Sequence, residues 1–214
     1  MPTIIVSQQN ESHITLAERV LSSVSKDFFS NKKVLIKPNW VNQLPPSSGA
    51  TVDPFFIKEI IDRIKQLGAL EVVVGEGAII DTEMAFHALK VREIISDSAP
   101  IINFSKEKEW IDVPIKHPQI QYLRIPNIIN TFNTIVSVAK LKTHCQTRIS
   151  FTVKNLFGLF SKASRQAAHK VDLEASIAGL YLYLRDKMNV VGTTGWGHCH
   201  GRTKWSFKRD PGAS

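Results

Sequence analysis

The sequence predicts an α/β protein, built as three layers around a mostly parallel central sheet with βαβ units. Two short β-branched runs, Lys33–Lys37 and Leu70–Val74, have the composition of buried strands. Between them Asp53 suits an N-cap, Pro54 suits the first helical position, apolar residues recur at helical spacing, and Gly68 supplies a stop. A strand, a helix and a strand in this order form a βαβ unit, whose two strands run parallel.

Hydrophobic periodicity and capping residues predict the remaining helices and strands, and a change in composition predicts one domain boundary. Helices are expected at Ile14–Phe29, Asp81–Leu89, Ser150–Phe160 and Asp172–Arg185, strands at Thr3–Ser7, Thr134–Val138 and Met188–Val191, and short strands or irregular structure at Ile101–Phe104 and Trp110–Ile125. After about Gly192, Gly, His, Trp and basic residues replace the aliphatic ones. We therefore predict a single α/β domain over residues 1–191 and an atypical basic tail over residues 192–214.

Composition and charge narrow the class of protein. With 43% hydrophobic and 21% charged residues the chain has ordinary globular composition. No run approaches the roughly 20 apolar residues of a membrane span, so we expect a cytoplasmic protein without a membrane partner. The tail, with four basic residues against one acidic residue, holds +3 of the net charge of +8. The charge on the rest is modest, and nucleic acid is not expected as a partner.

The cysteines and the glycine patterns exclude several kinds of site. Cys145 and Cys199 are too few for a disulfide framework or for a four-thiolate iron–sulfur cluster within this chain. His144 beside Cys145, and the group His198–His200, lack the spacing of a zinc site, so no metal site is predicted. Neither a G-x-G-x-x-G nor a Walker pattern occurs, which argues against the nucleotide-binding folds that carry them.

Polar side chains follow three of the predicted strands, at the edge where an open parallel sheet forms its ligand cleft. Lys37 and Asn39 follow one strand, Glu76 follows the next between two glycines, and Lys140–His144 follow Thr134–Val138. Ammonium, amide and hydroxyl groups together suit a phosphate or carboxylate ligand. In this hypothesis Lys37, Lys140, Lys142 and Thr143 bind the anion, Asn39 orients it, and Glu76 or His144 transfers a proton.

The helix expected to start near residues 147–150 adds to this site. Its unpaired N–H groups would face the same anion, and Asn155 would help to orient it. Lys154 lies in an apolar context and should be paired or face a cavity, because burying a lone lysine is costly. Each lysine alone could instead be a solvated strand end, and Gly75 and Gly77 allow a turn whether or not a ligand approaches Glu76. Three such groups on one edge favour a site.

Several motifs in a fixed order resemble the domain of unknown function 362 family. They are VLIKPNWV (Val34–Val41), the helix start Thr51–Pro54, LGALEVVVGEGA (Leu67–Ala78), VAKLKTHCQT (Val138–Thr147) and FTVKNLFGL (Phe151–Leu159). The resemblance covers the candidate residues above and adds His169, without assigning them roles.

What the resemblance implies is limited, because the family is largely uncharacterised. Many members carry or adjoin ferredoxin-like iron–sulfur modules, which implies redox-linked work, and a distant kinship to lactate-racemase-like proteins has been proposed. Family members typically continue past Val191 with a glycine-rich segment, a strand and a helix, so we hypothesise that this chain is truncated or altered there. The expected function is binding of a small anionic substrate or cofactor, of unknown identity. The alternative is a non-catalytic partner of a ferredoxin-like iron–sulfur protein.

Overall fold

The computed structural model describes residues 12–144 and 147–194. Its helices are α1 (His13–Ser22), α2 (Pro54–Gln66), α3 (Thr82–Ala88), α4 (Val91–Ile95), α5 (Thr152–Asn155), α6 (Lys162–Val171) and α7 (Leu173–Lys187). Its strands are β1 (Lys33–Lys37), β2 (Glu71–Glu76), β3 (Ile101–Asn103), β4 (Trp110–His117), β5 (Ile120–Pro126), β6 (Thr134–Ala139), β7 (Lys142–His144), β8 (Arg148–Ser150) and β9 (Asn189–Thr194). The predicted strand Thr3–Ser7 lies outside the described residues.

Five of the strands form one parallel sheet in the order β3-β2-β1-β6-β9. The chain first adds strands on one side of β1 and then crosses to add β6 and β9 on the other side. The order therefore reverses between β1 and β6. In open α/β sheets the crevice outside the carboxyl ends at such a reversal is the usual place for a ligand.

Two hydrophobic cores cover the two faces of this sheet. Successive residues of β1 alternate between them, with Val34 and Ile36 packed under α1 and α2 and Leu35 packed under α6 and α7. The antiparallel hairpin of β4 and β5 covers the second face beside α7. Helices, sheet and helices with a hairpin make three layers, and the predicted α/β fold is confirmed.

Two predicted helices are wrong in their extent. The helix expected over Ile14–Phe29 ends at Ser22, because the Ser25 side chain accepts a hydrogen bond from Asp27 N and starts a separate 3₁₀ turn. The helix expected over Ser150–Phe160 is interrupted further: the short hairpin of β7 and β8 comes first, then one turn of α-helix, then a 3₁₀ helix at Leu156–Leu159. An anion site on a helix starting at residues 147–150 is therefore not formed.

The predicted boundary at Gly192 falls within β9, which pairs with β6 as far as Thr194. Residues 195–214, which make up most of the predicted tail, lie outside the described residues. Within the described ranges, no helix combines the length and the apolar composition needed to cross a membrane.

Candidate functional site

A buried ion pair lies at the carboxyl ends of β1 and β2. Lys37 and Glu76 are the last residues of these strands, both are 1% exposed, and Lys37 Nζ pairs with Glu76 Oε1. The ammonium also donates to the carbonyl oxygen of Pro38 at 2.7 Å. Burial lowers the pKa of Lys37, and the facing Glu76 carboxylate opposes that effect.

The remaining contacts of Glu76 are to the backbone. Its Oε2 accepts from Trp40 N at 2.8 Å, and its Oε1 accepts from Gly77 N at 2.8 Å. Hydrogen bonds from N–H groups to a carboxylate are among the stronger ones in proteins. In this conformation Glu76 therefore neutralises Lys37 and anchors the loop that leaves β1.

Asn155 connects this pair to β6 on the other side of the reversal in strand order. Its Nδ2 donates to Lys37 O at 2.9 Å and to Ser137 Oγ at 3.1 Å. Its Oδ1 accepts from Asn39 Nδ2 at 3.2 Å and from Lys37 Nζ at 3.4 Å. The buried amide thus uses both its donor and its acceptor groups, and it holds the ends of β1 and β6 together.

Lys142 extends the network toward the surface. Its Nζ donates to Asn39 Oδ1 at 2.9 Å and to Ala50 O at 2.5 Å. The pKa of Lys142 is lowered to about 8, first by desolvation and then by the nearby charge of Lys154, while the Glu76 carboxylate opposes the shift. Lys142 is thus a cation held by neutral acceptors and surrounded by other cations.

Further positive groups surround Lys142, and we call Lys142, His144, Lys154 and His169 the basic rim. The pKa of His144 is lowered by burial, then by Lys154, His169 and Lys142. Burial, then Lys154 and then Arg165 also lower the pKa of His169. Lys154 Nζ lies 5.9 Å from the ring centroid of Phe157, and the His169 ring packs against the same ring edge-on at 5.2 Å. The Phe157 ring therefore contacts both Lys154 and His169.

The structure brings most of the predicted residues together. The two that lie apart from the rim are Lys140 and Thr143. Lys140 directly follows β6, is buried and contributes to the lowered pKa of Lys142. Thr143 is exposed, and it lies on the face of β7 opposite to Lys142 and His144 because side chains alternate along a strand. Lys140 therefore adds charge behind the rim, whereas Thr143 points away from it.

A family model, described as a domain of unknown function (DUF362), matches residues 34–208. This match covers most of the chain. The chain belongs to the DUF362 family. The match extends into the segment that the composition set apart as a tail.

The solved structures include one with a similar fold to this DUF362 protein. The lactate racemase apoprotein from Thermoanaerobacterium thermosaccharolyticum aligns with a TM-score of 0.56 at 16% sequence identity. The alignment covers 84% of this chain and 47% of the racemase, so the chain spans less than half of that protein. L-idonate 5-dehydrogenase from Escherichia coli aligns with a TM-score of only 0.29, at 14% identity over 84% of this chain and 55% of the dehydrogenase. Comparison with curated proteins found no match.

Three residues in or beside the site, Ser137, Arg165 and Gly158, were not predicted from the sequence. Ser137 bonds Asn155 and also donates to Thr152 O at 2.8 Å; it is the one hydroxyl inside the otherwise apolar stretch Ile135–Ala139, which is a usable signal. Arg165 lies on α6, where no helix was predicted, and donates to the carbonyl oxygens of Gly77 and Ala78 at 2.7 and 3.0 Å. Gly158 belongs to the motif FTVKNLFGL, but no local pattern marks its contact with Lys37.

Gly158 packs directly on the buried pair. A Cβ atom at this position would lie 2.8 Å from Lys37 Cε and 3.0 Å from both Lys37 Nζ and Glu76 Oε1. A Cβ atom on Gly77 would lie 2.5 Å from the carbonyl oxygen of Gly158. Two backbone segments therefore touch here without side chains between them.

A cleft of about 590 Å³ opens on the other side of these two glycines. It lies at the carboxyl ends of β2 and β3, and Gly77, Gly158 and Arg165 are among its lining residues. None of the residues predicted from the sequence lines it. We call it the Arg165 cleft.

The described residues hold no cluster of three or more His, Cys, Asp or Glu side chains that could bind a metal ion. Cys145, His198, Cys199 and His200 lie outside the described residues. The donors that the DUF362 site does present are ammonium, imidazole and amide groups, which suit anions.

Proposed function

We propose that this DUF362 protein binds a small anionic substrate or cofactor, carrying a carboxylate or phosphate group, at the basic rim. One observation carries the proposal: Lys154 lies within electrostatic reach of Lys142, His144 and His169, beside the reversal in strand order. The fold shared with a lactate racemase apoprotein is compatible with such a site, but the argument comes from the residues.

The network beneath the rim gives Lys142 a defined position. Asn39 is held by Asn155, and Asn155 is held by the backbone of Lys37 and by Ser137. Because Lys142 donates to Asn39, its ammonium group is held in place before a ligand arrives. A preorganised cation binds an anion at a lower entropic cost than a mobile surface lysine.

The positive charge of Lys154, which lowers the pKa of Lys142, His144 and His169, also favours an anion. Bringing a negative charge among these groups would offset the effect of Lys154 on them. Ligand and protons should therefore bind cooperatively, with the affinity rising as the pH falls below the ordinary histidine pKa of about 6.5.

For a proton transfer in this site, His144 is the better placed of the two predicted groups. It belongs to the rim, whereas both oxygens of Glu76 are engaged by Lys37, Trp40 and Gly77. Lys142, with its pKa of about 8, is a second group that can change protonation near neutral pH.

A calorimetric titration tests the binding proposal. Phosphate, oxalate and the two lactate enantiomers serve as probes, and Lys154→Gln is compared with Lys58→Gln. Lys58 is a surface lysine on α2 that pairs with Asp62 at 2.6 Å. We expect Lys154→Gln to weaken binding about tenfold, which corresponds to about 1.4 kcal/mol, and Lys58→Gln to leave it unchanged.

The outcome separates the two candidate functions. Equal affinities for the wild type and Lys154→Gln, or no binding of any probe, would count against an anion site at the rim. A non-catalytic partner of a ferredoxin-like protein instead predicts complex formation that weakens with salt and no response to small anions.

A further inference from the structure

We propose that the Arg165 cleft is a second binding site, separate from the basic rim, for a small organic anion that carries an apolar body. Its volume of about 590 Å³ lies within the range of roughly 300–1,000 Å³ that is typical of small-molecule sites. The cleft has a cationic side and an apolar side, and each is built from side chains that the rim does not use.

Arg165 is the anchor of the cationic side. Its Nη1 group holds the backbone carbonyls of Gly77 and Ala78, which fixes the plane of the guanidinium. Within the described part of the chain these are its only hydrogen bonds, so Nε and Nη2 remain for a ligand. A fixed guanidinium with two donor groups left matches the paired oxygens of a carboxylate or phosphate.

Three cations line the cleft, namely Arg165, Lys106 and Lys162. The nearby Glu76 carboxylate also acts on Arg165, but it is paired with Lys37. Lys162 lies exposed on the first turn of α6 and lines the same cleft, as does Lys106. Asp81 also lines it, but its carboxylate accepts a hydrogen bond from Glu83 N at 2.8 Å and caps α3. Glu83 is engaged by Lys106 at 3.2 Å and by Arg92 at 2.9 Å. An anion would therefore meet more cations than free carboxylates.

The apolar side of the cleft indicates that the ligand has an apolar part. Trp110 and Phe160 line it together with Ile79 and Ile80, which are 79% and 38% exposed. Apolar side chains beside a few well-placed polar groups are the usual composition of a small-molecule site. An aromatic acid or an aromatic phosphate ester fits this combination better than an inorganic ion does.

The glycine contact keeps this site distinct from the rim. Gly77 and Gly158 line the cleft, and Gly158 packs on Lys37 and Glu76 at the same time. The backbone of Gly77 and Gly158 lies between the cleft and the buried pair, whereas the rim residue Lys142 joins the network through Asn39. Arg165 and His169 lie one turn apart on α6, and Arg165 lowers the pKa of His169, so the two sites are neighbours and each needs its own reporter group.

Two indole N–H groups distinguish the sites in an NMR titration. Trp110 lines the cleft and donates to Glu107 O at 3.1 Å, whereas Trp40 donates to Val52 O at 2.9 Å near the Ala50 carbonyl that Lys142 holds. Tryptophan-to-phenylalanine variants assign the signals. Phenyl phosphate and benzoate are the probes, and inorganic phosphate and benzyl alcohol are the matched controls that lack one half of the ligand.

We expect phenyl phosphate to shift the Trp110 signal saturably and each control to bind at least tenfold more weakly. Arg165→Gln should weaken binding about tenfold, and Lys162→Gln, which alters only an exposed side chain, should weaken it by a smaller factor. Lys154→Gln should have no effect on the Trp110 shift. An unmoved Trp110 signal, or a shift insensitive to both variants, would overturn the proposal. A shift of Trp40 alone, lost in Lys154→Gln, would also overturn it while supporting the rim site.

Discussion

At the scale of single residues, the predicted lysines differ in their burial and in the groups that hold them. Lys37 is completely buried and is neutralised by Glu76, so it organises the site rather than meeting solvent. Lys142 is only partly buried, and its ammonium is held by the neutral oxygens of Asn39 and Ala50. The difference follows from position: the end of a strand inside the sheet is buried, whereas the short hairpin after β6 is at the rim.

The buried pair predicts an asymmetric response to mutation. In Glu76→Gln the buried Lys37 ammonium loses its countercharge, and such a loss costs about 3–5 kcal/mol of unfolding free energy. The same change at Glu71, whose pair with Lys33 at 3.3 Å is largely exposed, should cost at most about 1 kcal/mol. Urea unfolding of both variants, which lie on the same strand, provides the comparison.

A double variant tests whether the cost comes from the orphaned charge. Lys37→Met combined with Glu76→Gln should be more stable than Glu76→Gln alone, because no unpaired ammonium remains. Equal losses for Glu76→Gln and Glu71→Gln would contradict the role of the pair.

At the scale of elements, the segment from β8 to the 3₁₀ helix has a shape set by its contacts. Asn155 points its amide between β1 and β6, and Gly158 presses its backbone against Lys37. A regular α-helix over Ser150–Phe160 would have satisfied the apolar periodicity. Long-range hydrogen bonds and a close backbone approach are formed instead, and these override the local preference.

Gly158→Ala therefore should be destabilising, although the backbone at this residue has no positive φ. The added methyl would meet Lys37 and Glu76, neither of which can move without breaking the buried network, and overpacking of this kind costs roughly 1–3 kcal/mol. Gly179→Ala is the matched control, since the closest atom to its methyl would be the end of the flexible Ile115 side chain, and alanine favours the helix. Thermal or urea unfolding should rank the two variants in that order, and the reverse order would contradict the packing argument.

At the scale of the whole molecule, the global stability should depend on the protonation of Lys142. Its pKa is about 8 in the folded protein and 10.5 is the ordinary value, so between these limits the unfolded chain binds more protons than the folded one. The unfolding free energy attributable to Lys142 therefore rises as the pH increases from about 8 to 10.5. The quantity to measure is the difference in unfolding free energy between wild type and Lys142→Met at pH 7, 9 and 10.5. A difference that stays constant with pH would show that burial does not shift this lysine.

The sequence predicts much of this molecule where local patterns carry the information. Asp53 caps α2 as expected, with its side chain accepting from Phe55 N at 2.9 Å, and β1 ends at Lys37 as expected. The second strand runs two residues past its predicted end at Val74, to Glu76. Ser137 and Arg165 could not be assigned in the same way. The hydroxyl of Ser137 stands out in an apolar strand, but its partner Asn155 lies 18 residues later, and Arg165 bonds a loop 88 residues earlier in the chain.

By itself the sequence determined the α/β class, the βαβ unit and the set of polar residues at the strand ends, because hydrophobic period and capping chemistry are local properties. Only the tertiary structure decided which of these residues meet. The bond from Lys37 to Asn155 spans 118 positions, and it exists because the strand order places β1 beside β6. Whether a lysine faces a carboxylate, a neutral amide or an open rim depends on that order, and the periodicity of a single chain does not encode it.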